Sequence, residues 1–126
     1  MSVLIAPAKA ALVLLIDGGG EAITAGAKGF LRVPFNCTIE RVTLAADQVG
    51  SIQVDIWKST YATFPPTDAG SITGGSEPEI TGGNKGEDAS LTGWSTALNE
   101  GDILAFNVDS AITITRLTVN LHVRKR

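Results

Sequence analysis

In the segment from Ser51 to Lys58, polar and apolar side chains alternate as far as Ile56. Ile52, Val54 and Ile56 point one way, and the residues between them point the other way. A two-residue period that is rich in β-branched side chains is typical of a strand with one buried face. The chain must therefore provide a second layer on which this strand can bury its apolar face.

Four further segments have strand character, and two of them change phase midway. They are Gly29–Val33, Cys37–Ala46, Asp102–Asp109 and Ala111–Arg124. In Cys37–Ala46 and Ala111–Arg124 the apolar residues move from one parity to the other. A β-bulge adds one residue and so restores the facing of the side chains. We therefore expect bulges near Glu40–Arg41 and Thr115–Arg116.

Gly- and Pro-rich loops separate these strands, and no segment has the period of an amphipathic helix. The longest loop, Thr73–Gly93, is rich in glycine, and only a short strand at Glu79–Thr81 is expected within it. Short strands between such turns are typical of sandwiches, jelly rolls and barrels. The predicted fold is all-β, a jelly-roll-like antiparallel β-sandwich with an extended N-terminal arm.

The N-terminal region is expected to lie outside the sandwich. We assign residues 1–25 to an arm that ends in a flexible Gly-rich hinge at Asp17–Glu21, and residues 26–126 to the β-sandwich domain. The apolar run of the arm is too short to cross a bilayer and lacks the pattern of an export signal, so no membrane insertion is expected. It is instead a candidate assembly element, formed by Leu12, Val13, Leu14, Leu15 and Ile16.

The composition argues against most kinds of catalytic or metal site. The 126 residues include one cysteine and one histidine, and the net charge of −3 does not favour nucleic acid. Cys37 has core parity, and we expect a buried, inert thiol. His122 lies between two apolar residues of the last strand, and we expect it on the polar face. We predict no enzyme activity, no catalytic residue and no cofactor.

Metal binding stays open at the level of sequence. No common ligand spacing is present, and the predicted set of metal ligands is therefore empty. Four aspartates could nevertheless converge in space on a metal ion: Asp47, Asp55, Asp102 and Asp109.

Four aromatic residues are candidates for an interface or a ligand site: Trp57, Tyr61, Phe64 and Trp94. Trp57 has outward parity on its strand, and Tyr61 and Phe64 follow it in a Pro-Pro loop. Exposed aromatic side chains stack on sugars or pack against another subunit. A third interpretation is that they cover loops of their own domain.

Several blocks of the chain together resemble a small β-domain that recurs in structural proteins of tailed phages. These blocks are Ala27–Ile39, Gly50–Lys58, Tyr61–Thr67, Leu91–Trp94 and Gly101–Ser110. The resemblance covers roughly Ile16 to Arg124, and in that family the domain is often the C-terminal module of a longer tail or fibre chain. It implies a jelly-roll-like virion component that acts by binding and assembly, and it brings no catalytic residues.

The module makes up nearly the whole chain, which favours a capsid decoration (cement) protein. Such a protein binds the shell and stabilises the contacts between capsomers. The expected partners are further copies of the chain, as a homotrimer, and the phage major capsid protein or another virion protein. The alternative is a receptor-recognition module of a tail or head fibre that binds host glycans through exposed aromatics. The expected location is the exterior of the capsid or tail, after synthesis in the host cytoplasm.

Overall fold

The computed structural model describes residues 8–126, which form an all-β fold. The seven strands are β1 Lys9–Asp17, β2 Gly26–Arg32, β3 Cys37–Ser59, β4 Glu79–Asp88, β5 Ala97–Leu98, β6 Ile103–Ile112 and β7 Arg116–Lys125. The only helical element of the described residues is a 3₁₀ turn at Asp68–Gly70. Every strand pair is antiparallel, so the predicted all-β antiparallel class is confirmed. No helix in residues 8–126 has the length and apolar character needed to span a membrane.

The strand β3 is 23 residues long and organises the whole sheet. Along one edge, β7 pairs with its first half from Cys37 to Ala46, and β6 pairs with its second half from Ser51 to Ser59. Along the other edge, β4 pairs with both halves, and β5 pairs with the first two residues. The strands β1 and β2 flank β7 and β6. The result is one strongly curled seven-stranded sheet.

The sheet folds over at the middle of β3, where the backbone of the next strand comes very close. A Cβ atom on Gly50 would lie 2.4 Å from the carbonyl oxygen of Ile112 and 2.8 Å from a side-chain carbon of Ile114. The Asp47 carboxylate ties the same corner to β7, because it accepts the backbone N–H of Arg116 at 3.0 Å. Glycine and aspartate at these two positions therefore set where the sheet bends.

The concave side of the sheet encloses one apolar core. Ile52, Val54 and Ile56 are at most 2% exposed, as their alternation predicts. The phase change in the first half of β3 is also explained, because the pairing with β7 shifts register between Ile39 and Arg41. That shift confirms the predicted bulge and keeps Val42 in the core.

The structure differs from the predicted sandwich in its continuity. Cys37–Ala46 and Ser51–Lys58 were expected as separate strands but belong to one strand that passes through both halves of the sheet. The predicted strand Ala111–Arg124 is instead divided, because the chain turns at Thr113, which has a φ of 75°. Within the predicted loop Thr73–Gly93, the short strand expected at Glu79–Thr81 is present but continues to Asp88 as the ten-residue strand β4. The two packed sheets of a jelly roll are thus replaced by one curled sheet.

The structure corrects the prediction of an extended N-terminal arm. Residues 9–17 form β1, which pairs with β7 over its full length without a register shift. Leu12 and Ile16 are 5% and 2% exposed and belong to the core, because alternate residues of a strand face the same side. These two side chains are therefore not available to grip a neighbour. The part of the predicted arm before residue 8 lies outside the described residues.

The predicted hinge is also tied to the sheet. The N–H of Gly18 donates to the carbonyl oxygen of Thr115 at 2.8 Å, and the N–H of Gly19 donates to the Asp17 carboxylate at 2.8 Å. A few residues later, the N–H of Ile23 donates to the carbonyl oxygen of Ile114 at 2.9 Å. These bonds make the segment an anchored turn between β1 and β2.

Candidate interaction surface

The convex side of the second half of the sheet carries a row of aromatic side chains. Phe30 on β2 lies opposite Ala105 on β6, and Ala105 lies opposite Trp57 on β3. Residues that are directly opposite each other on neighbouring strands share a face of the sheet. Ala105 is completely buried although it is on the convex side, whereas Phe30 is 52% exposed. Two large rings thus flank a small residue.

The loop that follows β3 extends this row. The rings of Phe30 and Phe64 meet edge to face, with centroids 4.9 Å apart. Phe64 is 48% exposed, Tyr61 is 77% exposed, and the Phe64–Pro65 peptide bond is cis. We call the set of Phe30, Trp57, Tyr61 and Phe64 the aromatic surface. Its rings lie on or beside paired strands, so this surface has a rigid base.

A buried carboxylate fixes the tryptophan of this surface. One oxygen of Asp55 accepts the indole N–H of Trp57 at 2.9 Å. The other oxygen accepts three bonds at 2.8 Å, from the N–H of Ile56 and from the hydroxyls of Ser71 and Thr73. Asp55 is 9% exposed, and these four bonds compensate for its burial. It joins Trp57 to the loop that crosses this end of the sheet.

Trp94, the fourth aromatic candidate, has a different environment. It is partly buried and packs against the core. Its indole N–H donates to the carbonyl oxygen of Ser76 at 2.9 Å, and its backbone N–H donates to that of Leu91 at 3.1 Å. Trp94 therefore holds loops of its own domain together, while Trp57, Tyr61 and Phe64 lie at one end of β3.

The four aspartates that could have formed a metal site lie in separate local networks. Within residues 8–126 no group of three or more His, Cys, Asp or Glu residues is arranged to hold a metal ion. Asp47 binds the β6–β7 turn, and Asp102 accepts the N–H of Asn99 at 2.9 Å. Asp109 on β6 accepts the side-chain amide N–H of Asn107 at 2.8 Å. Desolvation raises the pKa of its carboxyl, the bond from Asn107 lowers it, and the charges of Asp55 and Glu77 raise it.

The single cysteine and the single histidine occupy the faces that the sequence predicts. Cys37 is completely buried in the core, and burial raises the pKa of its thiol. His122 lies on the opposite, polar face of β7. Its Nε2 is 3.0 Å from the hydroxyl of Thr43, and its Nδ1 is 3.4 Å from the guanidinium of Arg41.

Sequence reasoning missed one residue of the aromatic surface, Phe30, and the role of the carboxylate that fixes Trp57, Asp55. Phe30 had outward parity on its strand, but nothing in the sequence connects it with Phe64, which lies in a distant loop. The signal that could have found it is an aromatic residue on the polar face, next to Arg32. Asp55 was considered only as a metal ligand. The signal for its actual role is a carboxylate two positions before an outward tryptophan, because both side chains then share a face.

Comparisons with known proteins give structural matches only. No protein-family model matches the chain, and no curated protein matches it. The serine protease of Aeromonas sobria is similar over 95% of this chain and 28% of its own chain, with 10% identity and a TM-score of 0.35. In its complex with a chaperone, the protease matches with 11% identity and a TM-score of 0.38. The capsid of Ralstonia phage GP4 contains a chain that is similar over 99% of this chain and 90% of its own, with 14% identity and a TM-score of 0.49.

Proposed function

We propose that the protein is a structural component of a tailed-phage particle, a decoration protein that binds the outside of the capsid and stabilises contacts between capsomers. The ordered sequence blocks that resemble tailed-phage β-domains support this proposal. The observation that carries it is the aromatic surface on a rigid sheet. In this proposal the protein acts by binding and has no catalytic activity.

The aromatic surface has the composition of a protein-binding site. Three large apolar side chains, Phe30, Tyr61 and Phe64, are about half exposed or more. Protein interfaces are enriched in aromatic residues and arginine, and a few such residues carry most of the binding energy. Arg32, which follows Phe30 by two positions, lies on the same face at the rim. The partner in this proposal is the phage major capsid protein or another virion protein.

The test is binding to empty shells assembled from the major capsid protein of the same phage. We expect the wild-type protein to sediment with these shells in hundreds of copies and to raise their resistance to heat. The double variant Tyr61→Ala and Phe64→Ala should bind at least about tenfold more weakly, because hot-spot truncations typically cost ~2 kcal/mol or more.

Ile112→Ala is the matched control for this experiment. Ile112 is 67% exposed, but it lies at the opposite end of β6 from the aromatic surface. This variant removes a similar exposed apolar group and should bind shells as the wild type does. The proposal is overturned if the wild type does not bind shells, or if the double variant and the Ile112 variant bind equally well.

The second candidate function is a receptor-recognition module that binds host glycans. The exposure of Tyr61 favours it, because exposed aromatic rings stack on sugar faces. In that case the particle would carry about a dozen copies or fewer, and the double variant would lose binding to host polysaccharide. Quantitative mass spectrometry of purified particles separates the two functions by copy number.

A further inference from the structure

The strand β1 is at one end of the sheet, and its outer edge has no strand partner among residues 8–126. The N–H of Lys125 donates to the carbonyl oxygen of Ala8 at 2.9 Å. At the other end of β1, the N–H of Gly18 donates to the carbonyl oxygen of Thr115 at 2.8 Å. In an antiparallel ladder every second residue bonds to the same neighbour. The even-numbered residues of β1 therefore bond to β7, and the odd-numbered residues direct their N–H and C=O groups outward.

The backbone of this outer edge has no hydrogen-bonded partner among residues 8–126, although β2 comes close to β1 where Gly29 faces the Leu14 side chain. Proteins protect their edge strands with prolines, bulges or charged residues. Between Lys9 and Asp17 there is no proline or charge, and the pairing of β1 with β7 has no bulge. The other terminal strand, β2, is protected by Lys28 and by a register shift between Ala27 and Gly29.

The sequence of β1 is complementary to itself in the antiparallel direction. When two copies are aligned about Val13, Lys9 lies opposite the partner's Asp17, and Asp17 lies opposite the partner's Lys9. Within one chain the Lys9 ammonium already pairs with the Glu40 carboxylate on β3, so the contact with the partner's Asp17 would be added to that ion pair or would replace it. The same alignment places Ala11 opposite the partner's Leu15. A shift of two residues in either direction would separate the two charges, because Lys9 would then lie opposite the partner's Leu15 or Gly19. Charge complementarity therefore selects one register.

The side chains on the convex face of β1 are also suited to this contact. Val13 is 49% exposed and Leu15 is 59% exposed. Cross-strand pairs of β-branched and aliphatic residues stabilise antiparallel sheets. In the register centred on Val13, the two valines would meet at the two-fold axis, with Leu15 and Ala11 on each side.

We propose that two copies of this chain associate through the outer edges of β1, antiparallel and centred on Val13, so that the two sheets become continuous. A contact of this kind is isologous and closes with two copies. The homotrimer that the sequence led us to expect would need a different contact. The inference does not depend on the proposed virion role.

The first test is sedimentation velocity of the full chain over a wide range of concentration. We expect the wild type to change from monomer to dimer. Val13→Pro should weaken this association about tenfold or more, because it removes both outward N–H donors at the axis. It should leave the fold intact, because the Val13 N–H does not bond to β7 and proline is tolerated at such edge positions. Val13→Ala keeps the N–H and should weaken the association less.

The second test fixes the register by crosslinking. Residues of a hydrogen-bonded antiparallel pair have Cα atoms about 5.5 Å apart, which is within reach of a disulfide. Val13→Cys should therefore form a disulfide-linked dimer on mild oxidation, because Val13 faces its own copy. Leu15→Cys is the matched control and should not, because Leu15 faces the partner's Ala11. Cys37 is completely buried and does not compete.

Charge reversal tests the selection of the register. Asp17→Lys should weaken the dimer severalfold, because it places two lysines opposite each other on both sides of the axis. Adding Lys9→Asp should restore part of the association, because this change also removes the ion pair of Lys9 with Glu40 within the chain. The proposal is overturned if the wild type is monomeric at every concentration, if Val13→Pro associates as well as the wild type, or if Leu15→Cys crosslinks as readily as Val13→Cys.

Discussion

The carboxylate of Asp55 accepts the indole N–H of Trp57 at 2.9 Å, and this bond connects the loop at Ser71–Thr73 to the aromatic surface. The two side chains are two positions apart on β3 and therefore share the convex face. Because the other oxygen of Asp55 holds Ser71 and Thr73, one carboxylate positions both the tryptophan and the loop beside it.

Replacing Asp55 by asparagine should disturb this arrangement at one bond. The amide oxygen can keep the three donors of Ile56, Ser71 and Thr73, but the amide NH₂ then faces the indole N–H of Trp57, so two donors oppose each other. We expect Asp55→Asn to lower the free energy of unfolding by about 1–3 kcal/mol in urea titrations. When Asp55→Asn is already present, Trp57→Phe should cost less than it does in the wild type. Strictly additive effects would contradict the proposed link.

The corner of β3 should make stability depend on pH through Asp47. The hydroxyl of Thr115 holds the pKa of Asp47 below its usual range, and the backbone N–H groups of Arg116 and Thr115 act in the same direction. A lowered pKa in the folded state stabilises the fold above the pKa of the unfolded carboxyl, about 3.9. This contribution is lost as the pH falls through the folded pKa.

Asp47→Asn should therefore be less stable than the wild type at pH 7, and this difference should shrink as the pH falls below about 4, near the pKa of the unfolded carboxyl. Urea midpoints measured across this pH range provide the check. Asp68→Asn is the control, because Asp68 is exposed and its carboxylate accepts no hydrogen bond from the described residues. A constant difference between Asp47→Asn and wild type at all pH values would contradict this account.

Two glycines that face each other across β3 and β4 should respond very differently to alanine. A Cβ atom on Gly50 would lie 2.4 Å from the carbonyl oxygen of Ile112, whereas one on Gly83 would have its nearest neighbour at 3.8 Å, a methyl of Ile80. We expect Gly50→Ala to lower the free energy of unfolding by about 1–3 kcal/mol, as overpacking does. Gly83→Ala should be nearly neutral. Equal thermal midpoints for the two variants would contradict this expectation, because they would show that the backbone at Gly50 can shift away from Ile112 at little cost.

Truncation should show that β1 belongs to the folded domain. Removing residues 1–7 leaves every described strand in place, and this variant is the reference for the longer truncation. Removing residues 1–17 takes Leu12 and Ile16 out of the core and exposes the edge of β7. Losing a buried leucine side chain alone typically costs ~2–5 kcal/mol, so the shorter protein should unfold or aggregate. If the chain from residue 18 onward is soluble and unfolds cooperatively, β1 is not required for folding, and the N-terminal region is a separable arm.

The features that sequence could predict are those that a local pattern determines. The alternation of Ile52, Val54 and Ile56 identifies a strand and its buried face without knowledge of any partner. The phase change after Ile39 likewise requires an extra residue in the strand, so the bulge could be located from the pattern alone. Burial of Cys37 follows from its parity in the same way.

The remaining features depend on contacts between distant parts of the chain. Gly50 resembles a strand end in the sequence, and only the approach of Ile112 shows that it is a bend within a continuous strand. The glycines of β4 have low strand propensity, yet the open edge of β3 supplies hydrogen-bond partners that do not depend on side chains. The contact of Phe30 with Phe64 has the same origin in tertiary packing, and no local pattern encodes it.

The place of β7 in the sheet has a consequence for synthesis on the ribosome. β7 lies between β1 and the first half of β3, so these two earlier segments have no neighbour on that side until β7 has left the exit tunnel. Nascent chains with unpaired apolar strands are prone to aggregate. The polypeptide must therefore remain soluble until residues 116–125 have been made, because only then can it complete this sheet.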